Sequence, residues 1–361
     1  MSSAPPIEVC RRSEAERPAL EAMYVDVFGE KAAEESRARW RWQYDENPNC
    51  PPEGPEIWVA KEDGRVLGQY ATMPVRLKVL DRILRASWGM DVMVGPNLQW
   101  KGIGSRLFLY WDQQVEASLG LGLSVSSYTL FKKLNWEDVG PVPCFSAVVD
   151  VRALLERRIG ANFTTSAVLA PLVKLFMWIV FPRRRTKNGN LVEVRRAAEP
   201  FGADYDSLWE RVAPAYDFIA ERRAHYLEWK YRKVPHVSYD IFEAHKDGVL
   251  TGYIVLRVTE RNGAKLALVV DLLAEPDDKA TLGSLLDHAF SWAREHEAAR
   301  LQTFTFDRRI QARLASKGFM RIASPMQFCV RIHSDHVDEL FFRDTSRWHV
   351  SFGDSDQDRQ A

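Results

Sequence analysis

The sequence predicts an α+β protein of two tandem domains, each a mixed β-sheet flanked by helices. The evidence is an internal repeat, a hairpin signal in each copy and an amphipathic helix that follows it. The first copy reads WRWQYDENP at 40–48 and IWVAKEDGRVLGQY at 57–70; the second reads WKYRKVP at 229–235 and IFEAHKDGVLTGYI at 241–254. The common order indicates that one structural plan occurs twice.

Each copy is predicted to begin with two helices and a hairpin, and it continues into a strand that carries one aspartate. Asp63-Gly64 and Asp247-Gly248 provide the turn residues that join two antiparallel strands. The aspartate strands read MDVMV at 90–94 and VDLLA at 270–274. Asp91 therefore has a counterpart in the second copy.

A long amphipathic helix is expected after each aspartate strand. In the first copy apolar residues recur every four positions from Ile103 to Leu119, and in the second a stripe runs from Leu282 to Ala293. A short strand, a short helix and a final strand complete each copy. The final strands are predicted at 145–150 and 326–332.

These patterns divide the chain into four parts. We expect a first domain at 1–152, a linker at 153–190, a second domain at 191–335 and an acidic C-terminal tail at 336–361. The tail ends in GDSDQDRQA. It is expected to fray, because termini that nothing ties down are poorly ordered.

The linker contains one apolar stretch, at 163–181, which is followed by a proline and three arginines. A helix that spans a bilayer needs about 20 apolar residues, and Pro171 and Lys174 interrupt this stretch. We interpret it as a buried or interface helix, with peripheral membrane contact through 163–185 as the alternative. The expected location is the cytoplasm. If residues 163–185 contact the membrane, the protein is expected at the inner face of that membrane.

Composition argues against several classes of function. Forty-nine basic residues balance forty-nine acidic ones, so no global field favours nucleic acid, and a small or locally recognised partner is expected. The four cysteines are far apart and the histidines show no metal-ligand spacing. We therefore expect neither a metal site nor a disulfide framework, which fits a reducing compartment.

The main chemical signal lies where the first long helix begins. From Val94 to Ser105 the chain reads VGPNLQWKGIGS, so a strand ends, a loop turns and a glycine-containing segment opens a helix. The first turn of a helix leaves backbone N–H groups unpaired and carries about half a positive charge. Gly102 and Gly104 allow those amides to approach a pyrophosphate closely. This segment is therefore a candidate anion-binding site.

The pattern Gln99-x-x-Gly102-x-Gly104, after a strand and before a helix, resembles the acyl-coenzyme A motif of the GNAT N-acetyltransferase superfamily. LFKKLNW at 130–136 is similar to that superfamily's later Leu-Tyr-x-x-x-Gly-Phe segment. With both copies counted, the chain resembles tandem GNAT proteins such as mycothiol synthases, N-myristoyltransferases and Fem-type peptidyltransferases. The second copy reads EPDDKAT at 275–281, without either glycine and with three carboxylates, so it is expected to be degenerate and not to bind the cofactor.

The resemblance implies acetyl-CoA or another acyl-CoA as co-substrate, with no metal. It also implies that the backbone of the strand at 91–94 binds the pantetheine arm, which enters between this strand and another at 121–126. The cofactor-binding residues that it implies are Val92, Met93, Val94, Gln99, Trp100, Lys101, Gly102, Ile103, Gly104 and Ser105.

The resemblance places the thioester beside Asp91 and Tyr128. A lysine-like amine with a pKa near about 10.4 is almost wholly protonated at pH 7, so acyl transfer needs a base, and Asp91 is the candidate. Superfamily members commonly protonate the leaving thiolate with a tyrosine. Phe131 stands at that position here, which makes Tyr128 the candidate acid. The alternatives are that Asp91 forms a structural salt bridge and that Tyr128 packs at a helix start.

The predicted function is transfer of an acetyl or other acyl group from acyl-CoA to an amine of a small or sugar-like acceptor. Two alternatives stay open. A Fem-type transferase would take an aminoacyl group from charged tRNA, and it would need a basic groove rather than the segment at 99–104. A non-catalytic acyl-CoA-binding scaffold or sensor would keep that segment without a working base or acid.

Overall fold

The computed structural model describes residues 7–99, 101–151, 171, 191–235, 237–261, 263–333 and 339–357. These residues form two compact units, each assembled from separate stretches of sequence. The first unit comprises Met1–Gly140, His225–Ser238 and Met326–Asp344, and the second comprises Pro141–Ala224, Tyr239–Pro325 and Thr345–Ala361.

Strands form a sheet in each unit and helices flank the sheets. The strands are β1 (Glu8–Arg11), β2 (Ile57–Glu62), β3 (Arg65–Val79), β4 (Arg82–Val94), β5 (Ala117–Leu121), β6 (Glu137–Pro141), β7 (Cys144–Val148), β8 (Glu193–Arg196), β9 (Phe218–Ala220), β10 (Asp240–Lys246), β11 (Val249–Arg261), β12 (Ala264–Ala274), β13 (Arg300–Phe304), β14 (Met320–Ile322), β15 (Gln327–Ile332) and β16 (Trp348–His349). The helices are α1 (Arg17–Phe28), α2 (Glu30–Trp40), α3 (Ile103–Asp112), α4 (Val125–Lys133), α5 (Ala203–Val212), α6 (Ala224–Leu227), α7 (Lys279–Glu295), α8 (Arg308–Ser316) and α9 (Glu339–Arg343).

The two sheets have equivalent strand orders. In the first unit the order is β1-β2-β3-β4-β5-β15-β6, with β1 to β4 antiparallel and β4 parallel to β5. In the second unit the order is β8-β10-β11-β12-β13-β7-β14, with β12 parallel to β13. The predicted α+β class, with two mixed sheets flanked by helices, is confirmed.

The sixth strand of each sheet comes from the other half of the sequence. β15 lies between β5 and β6 in the first unit, and β7 lies between β13 and β14 in the second. A division of the chain at residue 152 therefore does not reproduce the compact units. The linear boundaries of the two domains, the linker and the tail stay a prediction about the sequence repeat.

Side-chain alternation along β2 explains why helices cover both faces of the first sheet. Trp58 and Ala60 are buried in a cluster with Ile103 of α3, whereas Val59 is buried in a different cluster with Leu20 of α1. Successive side chains of a strand point to opposite faces. Because both faces of β2 are apolar, each needs a helix to exclude water.

Both predicted hairpins are present. Asp63 and Gly64 connect β2 to β3 with φ values of 48° and 75°, and Asp247 and Gly248 connect β10 to β11 with values of 49° and 78°. Positive φ at both central positions is typical of a type I′ turn, whose twist matches that of the strands. Aspartate and glycine tolerate this backbone, so the dipeptides mark both hairpins correctly.

The helix predicted from Ile103 to Leu119 is wrong in its second half. α3 ends at Asp112, and Leu119 is a fully buried residue of β5. A buried strand supplies apolar residues just as a helix face does. The four-residue spacing of apolar residues therefore continued past the end of α3 into β5. The corresponding prediction in the second copy is confirmed, since α7 spans Lys279–Glu295.

The prediction of a frayed C-terminal tail is also wrong for its described residues, which end at Gln357. Residues 345–357 belong to the second unit, and Val350, Phe352 and Asp354 are at most 3% exposed. The Asp354 carboxylate accepts a hydrogen bond from the Arg222 guanidinium at 2.7 Å, and β16 pairs with β9. An ion pair and buried apolar side chains thus hold a segment whose composition alone suggested exposure to water.

The Trp-x-Tyr elements of the two copies meet inside the first unit. Each lies in a short π-helix, Arg41–Asp45 in one copy and Glu228–Arg232 in the other. The Trp42 and Trp229 rings stack with centroids 4.9 Å apart. Each indole N–H donates to the carbonyl of the other tryptophan, at 2.7 and 2.8 Å. This reciprocal contact gives the repeated element an architectural role.

The apolar stretch at 163–181 lies outside the described residues, apart from Pro171. Its interpretation as a buried or interface helix, or as a membrane contact through 163–185, therefore stays a prediction. Within the described ranges, no helix combines the length and the apolar character needed to cross a membrane.

Candidate active site

The first sheet opens between its two parallel strands. β4 pairs with β5 only through residues 86–88, although β4 continues to Val94. The strand predicted at 121–126 is misplaced, because β5 ends at Leu121 and the Ser124 side chain caps the start of α4. The predicted opening itself is present, and it leaves the backbone of β4 beyond residue 88 unpaired with β5.

The loop after β4 leads directly into the start of α3. Hydrogen bonds hold this loop: the Gly95 N–H donates to the Leu67 carbonyl at 3.1 Å, and the Leu98 N–H donates to the Gly95 carbonyl at 2.8 Å. Gly102 is the N-cap of α3, with a left-handed φ of 78°, and a Cβ there would meet nothing within 4 Å. No described side chain caps this helix. Its first-turn amides therefore suit an external anion.

The side chains near the helix start differ in what they contribute. Ile103 is buried in the core, so its side chain is not available to a ligand. A Cβ on Gly104 would lie 3.7 Å from the Leu130 side chain, which is an ordinary contact. Gln99 and Lys101 are exposed and Ser105 is half-buried. Trp100 lies outside the described residues, so its predicted role stays a prediction.

The predicted pantetheine strand contributes backbone rather than side chains. Met93 is buried beneath α1. Val92 and Val94 pack against the apolar cluster on the α3 side. Because these side chains serve the two cores, only the main-chain groups of β4 are left to meet an extended ligand in the opening.

The second unit closes its equivalent helix start with its own carboxylate. Asp278 is the N-cap of α7, and its side chain accepts hydrogen bonds from the Thr281 N–H at 3.0 Å and the Thr281 hydroxyl at 2.7 Å. Lys246 pairs with the same carboxylate at 2.6 Å. Burial alone would raise the pKa of Asp278, but the hydrogen bonds from Lys246 and Thr281 keep it below its ordinary value. The Asp278 carboxylate thus occupies the helix start of α7, whose equivalent in the first unit is open.

Asp91 lies at the opening, inside a network of donors. The Tyr44 hydroxyl donates to its carboxylate at 2.7 Å and the Tyr24 hydroxyl at 3.2 Å. Arg39 and Gln43 each donate at 3.3 Å. Burial, together with the Asp91 charge, raises the pKa of Tyr44 well above its usual range, so that tyrosine remains a donor. The Asp91 side chain is 10% exposed, so a substrate amine has limited access to the carboxylate.

The backbone of Asp91 is also unusual. Its φ is 44°, and it lies opposite a register shift between β3 and β4. A non-glycine residue in this region costs free energy and persists only where its surroundings hold it. The counterpart in the second unit, Asp271, likewise accepts from an arginine, Arg222, at 3.2 Å and from the Tyr253 hydroxyl at 3.0 Å. A paired carboxylate is therefore common to both units.

Sequence reasoning missed the partners of Asp91. Arg39 is a buried charged residue on α2, and no local pattern marks it. Tyr44 belongs to the repeated element WRWQYDENP and Tyr24 to no motif, so neither was expected at Asp91. Only the packing of α1, α2 and the π-helix Arg41–Asp45 brings these three side chains to the same carboxylate.

Tyr128 belongs to a separate cluster. Its hydroxyl donates to the Asp138 carboxylate, which raises the pKa of Tyr128 and keeps it protonated at neutral pH. The Lys132 ammonium lies 3.3 Å from the same carboxylate. Phe131 is buried, with its ring 5.0 Å from that of Phe108. Phe131 therefore fills the core, and the described residues show no hydrogen bond that joins the Tyr128 cluster to the Asp91 network.

A cleft of about 580 Å³ borders the loop after β4. Its walls are α1, the turn between β2 and β3, and residues 95–98. Charged side chains of both signs line it, including Asp26 and Arg65. Among the described residues, no group of histidine, cysteine, aspartate and glutamate side chains is arranged to hold a metal ion.

The sequence of residues 9–139 matches the family of the acetyltransferase (GNAT) domain. This part of the chain is a GNAT domain. The matched range includes the β4–β5 opening and the Gly102 helix start of the first unit. GNAT enzymes take their acyl group from acyl-CoA, so the chain is an acyl-CoA-dependent N-acyltransferase.

Solved structures share the fold over 91% of the chain. A GCN5-related N-acetyltransferase from Anabaena variabilis has a TM-score of 0.64 at 11% identity, covering 91% of this chain and 73% of that one. A probable N-acyltransferase from Enterococcus faecalis has a TM-score of 0.62 at 12% identity, with the same coverage of 91% and 73%.

N-myristoyltransferase from Saccharomyces cerevisiae, solved with bound myristoyl-CoA, has a TM-score of 0.57 at 12% identity and coverage of 91% and 84%. At these identities the likeness shows the fold, including its continuation beyond the GNAT domain. A comparison with curated proteins finds no sequence match.

Proposed function

We propose that the first unit binds acyl-CoA at the Gly102 helix start and the β4–β5 opening, and transfers an acetyl or other acyl group to an amine of a small or sugar-like acceptor. One observation carries this proposal. The helix start of the first unit has a glycine N-cap that no described side chain caps, whereas Asp278 fills the equivalent place in the second unit. Of these two equivalent helix starts, only that of α3 is left open to a pyrophosphate.

The cleft beside the loop supports a small polar acceptor. Its volume of about 580 Å³ lies within the usual range for small-molecule sites, about 300–1,000 Å³. Asp26 and Arg65 on its walls favour an acceptor that carries both hydrogen-bonding groups and an amine. We propose this cleft as the route by which the acceptor meets the thioester.

Release of coenzyme A tests the proposed reaction. The chain is incubated with acetyl-CoA and a panel of small amines and amino sugars, and the free thiol is measured with a chromogenic disulfide. We expect at least one amine to raise thiol release well above hydrolysis in its absence. Saturable acetyl-CoA binding with no release for any acceptor would support the scaffold alternative instead. Transfer from charged tRNA without acyl-CoA binding would support the Fem-type alternative.

We propose Asp91 as the base and Tyr128 as the acid, and Asp91→Asn tests the first role. The amide keeps the shape of the side chain but cannot accept a proton at neutral pH. A positioned base typically accelerates the reaction by about 10²–10⁴-fold. Turnover should therefore fall by at least about tenfold, while acetyl-CoA affinity is retained.

The melting temperature of Asp91→Asn provides the control, because the substitution also removes the charge that faces Arg39. A variant that melts lower but turns over normally would assign Asp91 to the stability of the fold. That result would remove it as the base.

A further inference from the structure

The second sheet has an opening equivalent to the one in the first. β12 pairs with β13 only through residues 266–268, although β12 continues to Ala274. The last paired residue is Trp88 in β4 and Leu268 in β12. Counted from there, Met90 corresponds to Val270, and Val92 corresponds to Leu272. The two openings can therefore be compared residue by residue.

The C-terminal segment, residues 348–354, lies along the unpaired stretch of β12. The Gly353 N–H donates to the Val270 carbonyl at 2.8 Å. The His349 Nε2 lies 3.3 Å from the Leu272 carbonyl, and because a carbonyl only accepts, this nitrogen is the donor. Both contacts therefore fall on the stretch of β12 beyond its last pair with β13.

Aromatic contacts join the segment to its surroundings. The Phe352 ring lies 4.2 Å from that of Phe304, the last residue of β13. The Trp348 ring stacks on Phe218 of β9 with centroids 4.5 Å apart. With its backbone on β12 and Phe352 on β13, the segment contacts both strands that border the opening.

A buried arginine anchors the segment to the aspartate of β12. Arg222 lies between the two carboxylates, 3.2 Å from Asp271 and 2.7 Å from Asp354. It also donates to the Ser351 hydroxyl at 3.2 Å. All four side chains are buried. The polar end of the segment is therefore specified by residues of the second unit and is not held by apolar packing alone.

We infer that the C-terminal segment 348–354 is the resident occupant of the β12–β13 opening, in the place that corresponds to the pantetheine slot of the first unit. The occupancy rests on the contacts of the segment, and only the comparison with pantetheine rests on the proposed function. Together with the Asp278 cap, the segment closes the second unit to acyl-CoA. One chain then holds one acyl-CoA.

Hydrogen exchange of the intact chain tests the inference. Amides at 348–354 should exchange at least about 100-fold more slowly than in a free synthetic peptide of the same sequence, because the segment is bonded and buried. Acetyl-CoA should leave this protection unchanged and add protection at residues 89–105. Exchange as fast as in the free peptide would overturn the inference. Loss of protection on addition of acetyl-CoA would overturn the closure of the second unit, since it would show that the ligand displaces the segment.

A chain that ends at Asp344 provides a second measurement. It should melt at least about 5 °C lower than the intact chain, and a peptide of residues 345–361 should restore the melting temperature saturably. The same peptide with Phe352→Ala should restore it only at much higher concentration. Equal potency of the two peptides, or unchanged melting without the segment, would contradict the inference.

The exchange measurement does not depend on the folding of the shortened chain. If acetyl-CoA gives no protection at residues 89–105 but 348–354 stays protected, the proposed function fails and the occupancy stands. If residues 348–354 exchange freely while acetyl-CoA protects residues 89–105, the occupancy fails and the proposed function stands.

Discussion

Gly102→Asp is expected to weaken acetyl-CoA binding by at least about tenfold. Gly102 is the N-cap of α3, so a carboxylate there would lie beside the amides that we assign to the pyrophosphate. Two unit charges about 5 Å apart repel by about 3 kcal/mol at an effective dielectric constant of 20, and 1.4 kcal/mol is a factor of ten. Calorimetric titration measures the loss.

Two matched variants separate charge from conformation. Gly102→Asn has nearly the same shape, tolerates the left-handed backbone and carries no charge, so it should lose less affinity than Gly102→Asp. Gly248→Asp places the same side chain at a glycine with the same φ of 78° and the same open surroundings, in the other unit, and should bind normally. Equal losses in the two Gly102 variants would assign the effect to the loop backbone.

Arg222→Met is expected to reduce the free energy of unfolding of the second unit by about 3–5 kcal/mol. The substitution leaves Asp271 and Asp354 buried without their cation, and removing one partner of a buried ion pair typically costs that much. Methionine preserves much of the side-chain volume, so the effect reports charge more than a cavity. Chemical denaturation followed by far-UV circular dichroism measures it.

Arg196→Met in the same unit is the control for Arg222→Met. Arg196 pairs with Asp240, but its side chain is 65% exposed. Exposed ion pairs contribute about 0–1 kcal/mol, so this variant should unfold almost as the parent chain does. A loss of less than about 1 kcal/mol in Arg222→Met as well would show that the buried triad does not hold the second unit together.

Local chemistry made much of the fold predictable. The Asp-Gly dipeptides marked both hairpins because few residues adopt positive φ at two successive positions. The stripe from Leu282 to Ala293 was read correctly because a helix buried on one face repeats its apolar positions. In the first copy the same signal ran past Asp112 into β5, since a buried strand also supplies apolar residues.

Long-range pairing was not predictable. Nothing in the sequence of β7 or β15 indicates that each joins the sheet of the other half, because a strand does not encode its neighbours. The tail was misjudged for a related reason. Its acidic composition suggests exposure to water, and Arg222, the buried partner of Asp354, lies far away in the sequence.

The candidate site likewise has one part that the sequence predicts and one part that it does not. The Gly102 helix start could be read from spacing, because a local backbone conformation produces it. The donors that surround Asp91 come from helices far away in the sequence, and only packing brings them together.

Calorimetric titration of the intact chain with acetyl-CoA tests the central claim most directly. We predict saturable binding with one molecule per chain, because the first unit offers an uncapped helix start and an open pair of strands, while Asp278 and the C-terminal segment close the second. Two equivalent sites, or the absence of binding to acetyl-CoA and to longer acyl-CoA, would contradict it.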